Sequence, residues 1–115
     1  MSTIADVAEL VTQLPGVTRH DHQRYTAWKV GGHTFGYQWE PTRTVGLKQT
    51  LAEQLALIAE RPDVFEVQFT MGAYGWVVAQ LDHVDRVELA ELVFEAWRLT
   101  APAQVVIERA DVLPD

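Results

Sequence analysis

Cysteine is absent from this chain, which excludes a disulfide framework, cysteine-ligated zinc, thiolate catalysis and iron–sulfur clusters together. Serine occurs once, as Ser2 at a terminus expected to be mobile, so a serine nucleophile is excluded too. A threonine nucleophile would need an activating base nearby, and no spacing supplies one. No apolar run approaches the ~20 residues of a bilayer span, and no basic-then-apolar leader opens the chain. The expectation is a cytoplasmic protein without membrane contact. Basic residues are also scarce. Nine Lys and Arg stand against sixteen Asp and Glu, and the net charge of −7 argues against a general affinity for polyanions.

What is present reads as one globular domain over residues 1–115. The hydrophobic share of 48% and charged share of 22% are ordinary values and argue against disorder. Ile4, Val7, Leu10, Val11 and Leu14 recur at helical steps, with Thr3 and Asp6 as a capping box and Pro15-Gly16 as the stop. The period then becomes two. Thr26 to Val30 and His33 to Trp39 read as strands joined by Gly31-Gly32, a two-residue hairpin signal. A turn at Pro41 to Thr44 leads into a third strand, Val45 to Gln49.

A second helix starts at Thr50, capped with Glu53, with Leu51, Leu55 and Ile58 as its expected buried stripe and Pro62 as its stop. Phe65 to Met71 and Trp76 to Leu81 read as fourth and fifth strands around Gly72 to Gly75. The last long helix runs from about Asp85 to Thr100, with Leu89, Leu92, Val93, Ala96 and Trp97 on its apolar side. Val105 to Ile107 could form a short extra strand, and residues 103–115 are expected to be a loosely held tail. The order α-β-β-β-α-β-β-α implies a two-layer α+β fold: one mostly antiparallel sheet of about five strands with helices on one face.

Most candidate chemistry has a plain structural explanation. Glu88, Glu91 and Glu95 read as a solvated helix face that offers no shielding for acid–base work. His20 and His22 lack a definite third ligand, so a loop pair is favoured over a metal site. Gly31-Gly32 lacks the third glycine, the following helix and the Lys-Thr pair of nucleotide loops. No cofactor, metal or catalytic residue is assigned, and the chain is expected not to be an enzyme.

One asymmetry remains. Between Val17 and Thr50 five basic residues meet two acidic ones, while the rest of the chain is strongly acidic. The same stretch carries Tyr25, Trp28, Phe35, Tyr37 and Trp39, and basic sheets with interleaved aromatics can hold single-stranded nucleic acid. Strand parity places Phe35, Tyr37 and Trp39 on the helix-covered face. It leaves Lys29, Thr34, Gln38, Lys48, Gln68, Thr70 and Gln80 on the open one. Trp76 shares the outer parity. It serves a binding surface or, the more ordinary fate, tucks under the neighbouring turn. Lys29, Lys48 and Trp76, with Arg43 at the turn, are the candidate nucleic-acid or ligand surface.

Several segments together resemble the MmcQ/YjbR family of small bacterial proteins. They are Leu14-Pro15-Gly16-Val17, Trp28-Lys29-Val30-Gly31-Gly32 before Phe35, Leu47-Lys48, Arg61-Pro62-Asp63-Val64-Phe65, Gly75-Trp76-Val77 with Leu81, and Ala96-Trp97-Arg98-Leu99-Thr100-Ala101-Pro102. The resemblance implies a double-wing fold like that of type III secretion chaperones, no assigned catalytic residues, and DNA binding. Many members carry Lys or His just before the tryptophan of the fifth strand, whereas Met71 to Gly75 contain no basic residue. Two functions stay open: a DNA-binding module, and a protein- or small-ligand-binding adaptor that uses the open sheet face.

Overall fold

Local signals start the first three helices where the sequence places them. A computed structural model describes residues 1–108 and gives helix α1 at Ile4–Thr12. Thr3 Oγ1 accepts from the Asp6 amide, and Asp6 answers by accepting from the Thr3 amide, which satisfies two orphan donors reciprocally. Strands β1 (Val17–Asp21), β2 (Thr26–Val30), β3 (His33–Trp39) and β4 (Thr44–Thr50) follow. Gly31 and Gly32 both take positive φ, as the two-residue hairpin requires. Helix α2 (Leu51–Glu60) has the full Thr50–Glu53 capping box. Strands β5 (Phe65–Met71) and β6 (Tyr74–Gln80), a 3₁₀ turn, and helices α3 (Arg86–Arg98) and α4 (Ala103–Glu108) complete the chain.

The strands form one antiparallel sheet in the order β1-β2-β3-β4-β6-β5. The α+β class holds, with six strands instead of five. The extra strand is β1, an edge strand whose residues after Val17 are exposed. With no face buried it carries no hydrophobic alternation, and only its pairing with β2 defines it. Val105 to Ile107 lie in helix α4, not in a strand, because the chain past Pro102 bonds back locally: the amides of Val105 and Val106 both donate to Pro102 O. The expected loose tail therefore contains a helix over its first part, and its remainder, residues 109–115, lies outside the described residues.

The core lies between the sheet and helices α1, α2 and α3. Trp28, Phe35, Leu47, Phe65, Leu89 and Trp97 are each at most 2% exposed, and Trp97 Nε1 donates to Pro15 O at 3.0 Å. Every residue expected on the apolar side of α3 is buried. Ser2, expected at a mobile end, is buried instead: its amide donates to Leu81 O and its hydroxyl to Val84 O at 2.7 Å. The inward side of α2 also differs from expectation. Leu51 and Leu55 face outward at 36% and 62% exposure, and Gln54 takes the central buried position, flanked by Leu57 and Ile58. Gln54 Nε2 donates to Phe69 O and Trp76 O, so a polar side chain satisfies two strand carbonyls that a leucine would have left unpaired.

Two register shifts decide which side chains reach the open face. Trp28 pairs with Gly36 but Lys29 pairs with Thr34, so Phe35 is an extra residue in β3. Val67 pairs with Val77 but Phe69 pairs with Trp76, which makes Gln68 an extra residue in β5. Because strand side chains alternate, one inserted residue reverses every side chain beyond it.

An aromatic open face as candidate functional site

Beyond the Phe35 bulge the parity of β3 inverts. Tyr37 and Trp39, expected in the core, stand on the open face opposite Gly46 and Thr44 of β4. Gln38, expected outward, is 3% exposed on the helix side, where its Oε1 accepts from Trp28 Nε1 at 3.2 Å. The Gln68 bulge acts likewise on β5. Phe69 turns to the open face beside Trp76, while Thr70 turns inward, within hydrogen-bonding distance of Gln54 Oε1.

The result is a continuous run of rings across the open face. Phe69 stacks on Trp76 with centroids 5.0 Å apart, Trp76 meets Tyr37 at 5.6 Å, and Tyr37 stacks on Trp39 at 5.9 Å. Tyr25 continues the run to Tyr37 at 5.7 Å, and His22 stacks on Tyr25 at 4.6 Å. Gly46 makes the packing possible, since a Cβ there would lie 3.0 Å from Trp39 Cη2 and collide with the Gln68 amide.

Lys48 is the cation on this platform. It stands opposite Trp76 across the β4–β6 ladder, with its Nζ 4.1 Å from the centroid of the Tyr74 ring. Burial lowers the pKa of its ammonium from the ordinary value of 10.5. Strand β3 pairs with β4 only between Gly36 and Trp39, so the two strands part beyond Leu47. A cavity of about 580 Å³ opens there. Tyr37, Lys48, Phe69, Tyr74 and Trp76 line it from the sheet, and Leu99 from the end of α3.

The four candidate residues separate in space. Lys48 and Trp76 meet at the cavity. Trp76 is only 6% exposed, held between Phe69 and Tyr37, so the open ring that was one expectation is largely covered. Lys29 shares the open face, two strands away from Lys48, opposite Thr34. Arg43 does not join them. It adopts φ 52° in the β3–β4 turn and its guanidinium is bound to Asp82 at 2.7 Å, so its charge is already matched. The sequence reading missed Tyr37, Trp39, Phe69 and Tyr74. A signal was available in Gly36, since a glycine inside an alternating strand marks a bulge or a close backbone approach.

Charge elsewhere is largely matched too. Arg19, Arg61, Arg86 and Arg98 are each bound to carboxylates, which leaves Arg24, Lys29 and Lys48 outside any ion pair among the described residues. The Glu88–Glu91–Glu95 face is less open than its pattern suggests: Glu88 is bound to Arg61, and Glu95 is partly buried against Glu53 of α2, which raises its pKa. His20 and His22 do not converge. His20 bonds to Thr18 and His22 stacks on Tyr25, and among the described residues no three His, Asp or Glu side chains are grouped to hold a metal ion. No helix among them is long and apolar enough to cross a membrane.

Comparison with known proteins agrees with this architecture. The chain is similar to a Deinococcus radiodurans protein, DR2400, whose crystal structure contains a DUF419 domain. The two share 21% identity with a TM-score of 0.78, over 100% of this chain and 91% of that one, a likeness of fold. No curated protein matches the sequence. The YjbR family model matches residues 12–99, which span α3, all six strands and the aromatic face, and the chain therefore belongs to the YjbR family.

Proposed function

We propose that this protein is a non-enzymatic binding module whose open sheet face takes a small planar anion into the cavity between β3 and β4. The observation that carries this reading is the environment of Lys48. Its ammonium lies on the Tyr74 ring, partly desolvated, in none of the ion pairs, at the rim of a cavity walled by Tyr37, Phe69 and Trp76. A desolvated cation beside aromatic walls favours a ligand that joins a flat apolar body to one negative group.

The family resemblance suggests DNA as the ligand, and the charge distribution favours a smaller one. Duplex affinity grows with the number of phosphates neutralised. Only Arg24, Lys29 and Lys48 stand outside the ion pairs among the described residues, on a chain of net charge −7. Duplex binding weaker than about 10⁻⁴ M at physiological salt is expected.

The test is an amide-shift titration with 2-naphthoate and its neutral analogue 2-naphthamide. The carboxylate should shift β4 and β6 amides more strongly than the amide, and Lys48→Met should erase the difference. Equal responses to both probes would sink the anion reading. Duplex binding near 10⁻⁷ M that is lost in Lys48→Glu would establish DNA as the ligand instead.

A further inference from the structure

On the opposite face of the molecule, a cleft of about 220 Å³ separates α2 from α3. It is lined by Glu53 and Leu57 of α2, by Glu88, Glu91 and Leu92 of α3, and by Gln49 of β4. Gln49 is 1% exposed. Its Nε2 donates to Lys48 O at 2.8 Å and to Leu92 O at 3.0 Å, and these two acceptors fix the orientation of the amide. Gln49 lines the cleft, and its buried Oε1 accepts from no donor, an unfavourable state for a carbonyl.

The acids around it are unequally matched. Glu88 is bound to Arg61, and Glu95, beside the cleft, to Arg98. Glu53 is in none of the ion pairs: its Oε1 caps α2, accepting from the Thr50 amide and hydroxyl, and its carboxyl also hydrogen-bonds with that of Glu95. Glu91 is exposed and in none of the ion pairs. The unmatched groups of the cleft are therefore all acceptors, while Leu57 and Leu92 supply apolar wall.

That combination selects a donor-only head on an aliphatic stem. We propose that the α2–α3 cleft is a binding site for an alkylammonium group, its nitrogen held by Glu53, Glu91 and Gln49 Oε1 and its chain laid along Leu57 and Leu92. An ammonium carries three donors and no acceptor, so it can satisfy all three oxygens at once. A metal ion fits less well, because no three His, Asp or Glu side chains among the described residues are grouped to hold one. The same head occurs in free diamines and in the lysine side chain of a protein. This site stands independently of the aromatic face.

Titration of the full chain with n-butylamine, followed by amide shifts, tests the proposal, with n-butanol as the uncharged control. Butylamine should shift α2, α3 and Gln49 but leave Tyr37 and Trp76 unmoved, and butanol should do neither. Glu91→Gln should weaken binding about tenfold, the scale of one charge-assisted contact. Glu53→Gln should weaken it similarly, and glutamine can keep the α2 capping box closed. Tighter binding of putrescine than of acetyl-lysine methylamide would identify a free diamine as the source, and the reverse order a protein lysine. Shifts from butanol equal to those from butylamine, unchanged affinity in both glutamine variants, or magnesium displacing the amine at equal concentration would each overturn it.

Discussion

Trp28 Nε1 donates to Gln38 Oε1 at 3.2 Å on the helix side of the sheet, with both residues buried. The contact exists because the extra residue at Phe35 brings Gln38 round to the face that Trp28 occupies. Gln38→Leu would keep the volume and remove the acceptor. It should cost roughly 1–3 kcal/mol, the penalty of a buried indole N–H without a partner. Urea denaturation with tryptophan fluorescence measures it. A neutral substitution would mean that Gln38 faces solvent.

Gly46 predicts how tightly the aromatic face is packed. Gly46→Ala places a methyl against Trp39 and the Gln68 amide, and should cost about 1–3 kcal/mol through overpacking. The near-ultraviolet circular dichroism of the ring cluster should change with it. Gly36→Ala meets a single side-chain methyl, Leu47 Cδ2 at 3.1 Å, beyond which its nearest neighbour is Gly46 O at 3.5 Å, so a smaller cost is expected.

Trp97 and Glu91 occupy opposite sides of α3. Trp97 is fully buried and bonded to Pro15 O, whereas Glu91 is exposed. Trp97→Ala should cost about 3–5 kcal/mol, as large core truncations do. Glu91→Ala should stay within about 0.5 kcal/mol of wild type. Equal losses in denaturant melts would show that the apolar side of α3 is misassigned.

Glu95 predicts a pH dependence. Burial, and then hydrogen bonding with Glu53, raise its pKa above the ordinary 4.5, outweighing the opposing pull of Arg98. The native state therefore holds the proton more tightly than the unfolded chain. Its contribution is fully present below the unfolded pKa and is lost as pH rises through the higher native one. Glu95→Gln should accordingly raise stability at neutral pH, with a smaller effect near pH 4. Thermal melts across that range decide the matter, and a larger gain at the acid end would reverse the assignment.

Short-range chemistry was legible in the residue order. Thr3 with Asp6, Thr50 with Glu53 and Asp85 with Glu88 start their helices at the expected positions, because a cap is decided within three residues. Gly31-Gly32 turns as expected for the same reason. The α3 stripe is correct because thirteen residues of helical period over one apolar side leave a single solution.

Only tertiary structure decided the composition of the candidate site. The bulge at Phe35 is defined by pairing with Trp28 and Lys29, and the bulge at Gln68 by pairing with Trp76 and Val77. Each reverses a two-residue period, so Tyr37, Trp39 and Phe69 reach the open face although simple alternation sends Tyr37 and Trp39 inward. Gln54 replaces the leucines of α2 at the core because carbonyls of β5 and β6, fifteen and twenty-two residues away, need donors. Arg43 leaves the candidate surface because Asp82 lies beside it, thirty-nine residues along the chain. By itself, then, the sequence determined where elements begin and end, since caps and turns act among neighbours. The folded chain decided which side chains meet, because strand register and ion pairing are set by partners that the local pattern does not contain.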